Sequence, residues 1–170
     1  MQFVSRYGFR LTTEPSGSYL PRQMLQEQEP VGLLVAAARR SLKQAVLRHA
    51  RPLRLTPPQF WFLNAARELP DAALGEIARR QRMDPPTASR IAEGLSKRGF
   101  LKVTPDVKDR RITRISLTAS GGKLAARIAP IAKAVRSAGI HNMSGRELSA
   151  LRSSLRKFVE NLNSFAGSAT

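Results

Sequence analysis

Apolar positions in this chain recur with a helical period almost throughout, and the period drops to two in one stretch near residue 110. Over 31–48, Val31, Leu34, Val35, Ala38, Leu42, Ala45 and Val46 make one stripe of an α-helix. A second helix opens at Thr56, which stands at capping-box spacing from Gln59 with proline at the first helical position. It carries Phe60, Leu63, Asn64 and Arg67, with Trp61 and Phe62 beside them. Residues 71–81 predict a shorter helix with Leu74, Ile77 and Ala78 turned inward, joined by a tight turn to the next, so that the pair reads as a helix-turn-helix. In that next helix Asp84 caps, Pro85 opens, and Ala88, Ile91, Ala92 and Leu95 fall at i, i+3, i+4 and i+7; Gly99 ends it. Then Leu101 and Val103, and after them Thr113, Ile115 and Leu117, alternate with polar residues as a half-buried hairpin does. The tip between them, Pro105-Asp106-Val107-Lys108-Asp109-Arg110-Arg111, is charged and has nothing to bury.

Helical spacing returns at Thr118, which caps a long segment bearing Leu124, Ile128, Ile131, Val135 and Ala138. Gly121 and Gly122 are expected to loosen its first turn. After a break at 139–143, Ser144 and Glu147 form a second capping box, and Leu148, Leu151, Leu155, Phe158, Leu162 and Phe165 step along one face. These two stripes fit either an antiparallel pair within the chain or a layer that packs on a second copy. Residues 1–29 read as an arm: Phe3, Tyr7, Phe9 and Leu11 alternate weakly, and Glu14 to Ser18 suits a turn or linker. Its aromatic residues favour packing on the body or on a partner over disorder.

Composition narrows the function. The 170 residues carry a formal charge of +17, which points to a polyanionic partner, nucleic acid or an anionic membrane surface. Residues 31–66 contain Arg39, Arg40, Lys43, Arg48, Arg51 and Arg54 and no acid. No apolar run approaches the ~18 residues of a membrane span, and the start of the chain lacks the apolar core of a signal peptide, so a cytoplasmic protein is expected. There is no cysteine, hence no disulfide and no zinc–thiolate site; His49 and His141 stand alone, and no metal or other cofactor is expected. Neither a nucleophile elbow, a phosphate-cradling glycine loop nor a carboxylate pair is present, so an enzyme is not expected.

The run Leu74-Gly75-Glu76-Ile77-Ala78-Arg79-Arg80, then Thr87-Ala88-Ser89-Arg90-Ile91, Leu95, Lys97-Arg98-Gly99-Phe100-Leu101, Asp106-Val107-Lys108-Asp109-Arg110-Arg111 and finally Leu117-Thr118 resembles the MarR family of winged-helix regulators. The resemblance covers roughly residues 31–165. It implies a mainly α fold with a small β-hairpin wing: a winged helix-turn-helix DNA-binding domain at 56–118, a helical dimerisation region at 30–55 and 119–166, and the arm at 1–29. It implies a homodimeric, sequence-specific transcriptional regulator on a palindromic operator in double-stranded DNA, a repressor released by a small aromatic acid or phenol. A ligand-independent architectural DNA-binding protein is the alternative. Without cysteine the chain lacks the thiol switch of the peroxide-sensing branch. In one respect it departs from the pattern: Lys108 stands where the family often has arginine, and lysine is a point charge without the planar fork.

For DNA, the reading helix offers Pro86, Thr87, Ser89 and Arg90 in its first turns, where helix-turn-helix proteins present side chains to bases. Arg90 can fork onto guanine and Thr87 can meet a thymine methyl. Arg79, Arg80, Arg82, Lys97 and Lys102 suit phosphates, and Lys108 and Arg110 suit the minor groove. Arg111 braces the hairpin base, with a DNA contact kept open for it. Asp106 and Asp109 are expected to direct Lys108, Arg110 or Arg111 by pairing with them. The region matching the family's effector pocket makes Arg39, His49, Arg51 and Trp61 the candidates for an aromatic carboxylate, which needs a cation and an aromatic wall.

Overall fold

A computed structural model of the chain describes residues 29–167. Six helices and three short strands follow in order: α1 (Val31–Ala50), a 3-10 turn (Arg51–Leu53), α2 (Pro57–Glu68), β1 (Ala72–Ala73), α3 (Leu74–Gln81), α4 (Pro85–Lys97), β2 (Leu101–Pro105), β3 (Thr113–Leu117), α5 (Ala119–Gly139) and α6 (Gly145–Gly167). The chain divides into two units, Met1–Ala38 and Arg39–Thr170. Of the first, the described part is 29–38, the opening of α1, where Val31, Leu33 and Leu34 are exposed. The expectation for Phe3, Tyr7, Phe9 and Leu11 falls outside the described residues.

In the second unit α2 is the central element. Phe60, Phe62, Leu63, Ala65 and Ala66 are all buried, so this helix has apolar contacts on nearly every side. It packs against α5, α3, α4 and β3. Ile77, Leu95, Ile115 and Ile128 reach it from those four elements and are fully buried. Burying each such side chain contributes about 1.5–3 kcal/mol before entropy is counted. The entry to α2 is fixed locally: Thr56 Oγ1 accepts from Gln59 N at 3.4 Å, and Gln59 Oε1 accepts from Thr56 N at 3.1 Å.

Several details differ from the sequence reading. The helix expected over 71–81 begins only at Leu74. Asp71 takes a left-handed backbone (φ 54°), and Ala72 and Ala73 pair antiparallel with Ile115 and Arg114, so the sheet has three strands in the order β1-β3-β2. Val103 lies opposite Ile115 yet is 38% exposed, because it lines a groove between α4 and the hairpin while Ile115 enters the core. On α1, Ala38, Leu42 and Ala45 are exposed where a buried stripe was expected. On α6 no residue is buried, and Leu151, Leu155, Val159 and Leu162 are exposed, which rules out a well-packed antiparallel pair within the chain.

Gly121 is a further difference. It does not loosen α5 but lets α5 close onto the hairpin base, because a Cβ there would run into the Phe100 carbonyl. The junction is stitched further by Thr118, whose Oγ1 donates to the Gly99 carbonyl at 2.6 Å and accepts from Gly121 N at 3.0 Å. Gly122 has open space around its Cα. Gly121→Ala should therefore destabilise by about 1–3 kcal/mol through overpacking, whereas Gly122→Ala should stabilise by about 0.5–1 kcal/mol through helix propensity. Urea unfolding of the two variants checks this, and equal effects would refute the packing role.

Candidate nucleic-acid interface

The interface is built from a capped helix and a braced hairpin. Arg82 closes α3 in a left-handed conformation (φ 50°), with Met83 N donating to the Ala78 carbonyl at 2.9 Å, and this sets the turn into α4. Asp84 Oδ1 accepts from Thr87 N at 2.8 Å, a bond that holds its carboxyl below the ordinary value. Pro85 and Pro86 occupy the first two positions of α4, where their missing N–H groups leave nothing unsatisfied. Ala88, Ala92 and Leu95 take the buried face, which leaves Pro86, Ser89 and Arg90 exposed and Thr87 half-buried. Lys97 is also exposed and pairs with Glu93 one turn earlier at 2.6 Å.

The hairpin tip is organised by Asp106. One of its oxygens accepts from Lys108 N at 2.8 Å and Asp109 N at 3.0 Å, and the other accepts from Arg114 Nε at 2.6 Å. Arg114 Nη1 donates to the Asp71 carbonyl at 3.1 Å, tying the tip to the segment before β1. The Arg114 guanidinium first, and then the two amides, hold the Asp106 carboxyl below the usual range. Asp109 receives both the backbone and the guanidinium of Arg111, at 3.0 Å to Nε and 3.1 Å to Nη2. The expected pairing thus holds for Asp109 with Arg111, but Asp106 takes Arg114 and not Lys108, Arg110 or Arg111. Arg111 is bound within the tip itself and does not brace the hairpin base, while Arg114, next to the tip end of β3, anchors the tip to Asp71. Lys108 and Arg110 are exposed with no carboxylate partner among the described residues, and Val107 between them is fully exposed.

Among the expected phosphate contacts, Arg79, Arg82 and Lys102 are exposed. Arg80 is engaged elsewhere. Glu68, at the end of α2, accepts from Arg80 Nη2 at 2.8 Å, from Arg136 Nη1 of α5 at 3.1 Å and from the buried Asn64 Nδ2 at 2.8 Å. Arg136 also lies over the Trp61 ring at 5.2 Å, and Trp61 meets Phe60 edge-on at 5.3 Å. Arg80 above all, with Arg136 and Asn64, outweighs partial burial and lowers the Glu68 carboxyl from 4.5 to about 2.

The four effector candidates are not brought together. A cleft of ≈ 530 Å³ between α1 and α5 includes His49, but its cations are Arg40 and Arg48, and its far wall is Ala134, Val135 and Ala138. Arg39, Arg51 and Trp61 do not line it; Trp61 is engaged by Phe60 and Arg136. Sequence reasoning missed Arg40 and Arg48 as lining residues, and it missed Arg114 and Glu68 as braces. Arg114 had one available signal, a strand position one turn of the hairpin away from an aspartate at its tip. Among the described residues no group of three or more metal-ligating side chains occurs, and no helix is long and apolar enough to cross a membrane.

A family model described as the MarR family matches residues 55–113. The chain is 28% identical over 148 residues to the HTH-type transcriptional repressor NicR of Pseudomonas putida, covering 87% of this chain and 94% of that one. Among solved structures it is similar to BpsR of Bordetella bronchiseptica, whose DNA binding is regulated by 6-hydroxynicotinic acid, at a TM-score of 0.66 and 27% identity over 77% of this chain and 94% of that one. The transcriptional regulator SlyA matches at a TM-score of 0.66 and 22% identity, over 86% of this chain and 99% of that one; at this identity the likeness concerns the fold alone.

Glu68→Gln tests the electrostatic knot. It should cost about 1–2 kcal/mol at pH 7, less than the full linkage value because both guanidinium partners are half-exposed. The folded-state pKa is depressed, so the contribution is complete above 4.5 and fades as pH falls toward about 2. The gap between wild type and variant in urea unfolding should shrink over that range; a constant gap would count against the ion pairs.

Proposed function

We propose that the chain is a winged helix-turn-helix regulator of the MarR family, a homodimeric, sequence-specific DNA-binding repressor released by a small aromatic acid, on the match of that family's model to residues 55–113 and the similarity to NicR and BpsR. The observation that carries this reading is the pairing of an exposed helix face, Pro86, Ser89 and Arg90, with an exposed hairpin tip, Lys108 and Arg110, in one braced unit. The helix fits the major groove with Arg90 toward a base edge and Thr87 and Ser89 beside it, and the tip fits the minor groove. Arg79, Arg82, Lys97 and Lys102 are assigned to phosphates, and Arg111 to the phosphate flank of the tip. Dimerisation is assigned to the uncovered apolar face of α6, where Leu151, Leu155, Val159 and Leu162 lie exposed. Two heads joined in this way meet half-sites about one helical turn apart, ~10 bp.

Release by an aromatic acid is supported by the BpsR similarity and by the cleft with Arg40, Arg48 and His49 facing an apolar wall. A carboxylate takes the cations and a ring takes the alanines and Val135. A coupling of ~1–3 kcal/mol between cleft and reading heads suffices to change operator occupancy 5–150-fold.

Titration of a palindromic operator against random duplex at fixed salt separates this reading from an architectural protein; equal affinities would refute sequence specificity. With about eight phosphates neutralised per dimer, log K should fall against log salt with a slope near about −7. Arg90→Ala should cost ~1–3 kcal/mol and relax preference at one base position, whereas an equal loss on every sequence would reassign it to phosphate. Leu155→Glu combined with Val159→Glu should give monomers in sedimentation and lose operator affinity. Dimers that survive the change would move the interface elsewhere.

A further inference from the structure

Besides the reading face and the α1–α5 cleft, the second unit has a concavity of ≈ 400 Å³ whose lining includes Arg54, Arg98, Phe100, Lys123 and Arg127. Its walls come from three elements. Arg54 follows the 3-10 turn after α1, Arg98 is the C-cap of α4, and Lys123 and Arg127 lie one turn apart on α5. No carboxylate is in the lining, and none of these four cations forms an ion pair with any described residue. Four like charges around one concavity without a counter-charge make a local positive potential that attracts a small anion. Arg98 is already oriented, because its guanidinium lies over the Phe100 ring at 5.0 Å. Arg54 holds a left-handed backbone (φ 52°), a conformation that disfavours a residue with a Cβ relative to glycine. The floor is rigid, since Ser120 Oγ and Thr118 Oγ1 both donate to the Gly99 carbonyl, at 2.7 and 2.6 Å.

The concavity lies apart from the residues assigned to base edges and to the minor groove, while Lys97, assigned to phosphate, adjoins Arg98. It sits at the C-terminal end of α4, where Arg98 lies eight residues from Arg90 and twelve from Pro86, or about 12–18 Å along the axis. It also sits at the Leu101–Leu117 end of the hairpin, five residues or about 17 Å from the tip. The dimensions suit a small molecule. The charge suits one that carries two or more negative charges on tetrahedral oxygens, since a lone carboxylate would leave most of the cations uncompensated while a phosphate presents acceptors to several forks at once.

We propose that this cleft binds a small phosphorylated anion, a phosphate or diphosphate ester, held by Arg54, Arg98, Lys123 and Arg127. The anion bridges the end of the reading helix to the start of α5, so its occupancy fixes the angle between them. The site is separate from the aromatic-acid cleft and does not rest on the DNA reading.

Inorganic pyrophosphate titrated calorimetrically into the full-length protein at constant ionic strength tests it. One saturable site per chain is expected. Lys123→Gln combined with Arg127→Gln should weaken binding by about tenfold or more, because two charge-assisted contacts are lost. Lys133→Gln combined with Arg152→Gln, an equal change in net charge outside the cleft, should leave it unaltered. All four positions are exposed, and circular dichroism confirms folding of each variant. Unsaturable heats, or equal weakening by both pairs, would overturn the proposal by reducing the effect to bulk charge. The phosphate source is settled by the salt dependence of duplex affinity. An unchanged slope in the Lys123/Arg127 variant supports a free anion, whereas a slope flatter by about two would assign the cleft to the DNA track and overturn it.

Discussion

Twelve carboxylates share this chain with twenty-nine lysines and arginines, and the few acids stand at joints. Asp84 opens the reading helix, Asp106 holds the hairpin tip, Asp109 fastens Arg111, and Glu68 gathers Arg80 and Arg136 at the end of the central helix. Glu147 closes the cap of the last helix by accepting from Ser144. Each acid removes one or two cations from the surplus, or none, and so decides which cations remain unpaired. Arg90, Lys108 and Arg110 belong to that remainder, as do the four around Phe100. The interaction surface of this protein is thus defined largely by where its negative charge has been placed.

Local chemistry was legible in the residues themselves. Each cap read from spacing is present: Thr56 with Gln59, Asp84 with the Thr87 amide, Thr118 with the Gly121 amide, and Ser144 with Glu147. The partners of a cap lie three residues apart, so the sequence contains both halves of the interaction. The α-rich architecture and the hairpin followed from the same reasoning, because periodicity is a local property. What escaped notice was non-local. Ala72 and Ala73 become a strand only because β3, some forty residues later, offers them its free edge. Glu68 and Arg136 are sixty-eight positions apart. Gly121 looked like a weak helix residue, and only the proximity of the Phe100 carbonyl gives its missing side chain a purpose.

The effector candidates illustrate a different limit. Arg39 and Arg40 are neighbours in sequence, but successive helical residues are turned by about 100°, so one lines the cleft and the other does not. The place of Trp61 at the start of α2 suits an aromatic wall, yet it stacks beneath Arg136 as part of the Glu68 cluster. Residue type points to a chemistry, a cation beside an apolar or aromatic surface, while the facing of each side chain depends on tertiary packing.

The contact between Gly121 and the Phe100 carbonyl is made by main chain on main chain, and this sets the mechanical character of the molecule. Side chains can change rotamer to absorb a displacement; peptide groups in contact cannot. The long helix and the base of the hairpin therefore meet as two rigid parts with no cushion between them. A tilt imposed anywhere along α5 reaches the hairpin as a rotation of its root, and a lever about five residues long magnifies it at Lys108 and Arg110. Sensitivity to small strains in the helical layer is then a property of the backbone, independent of which side chains decorate either surface.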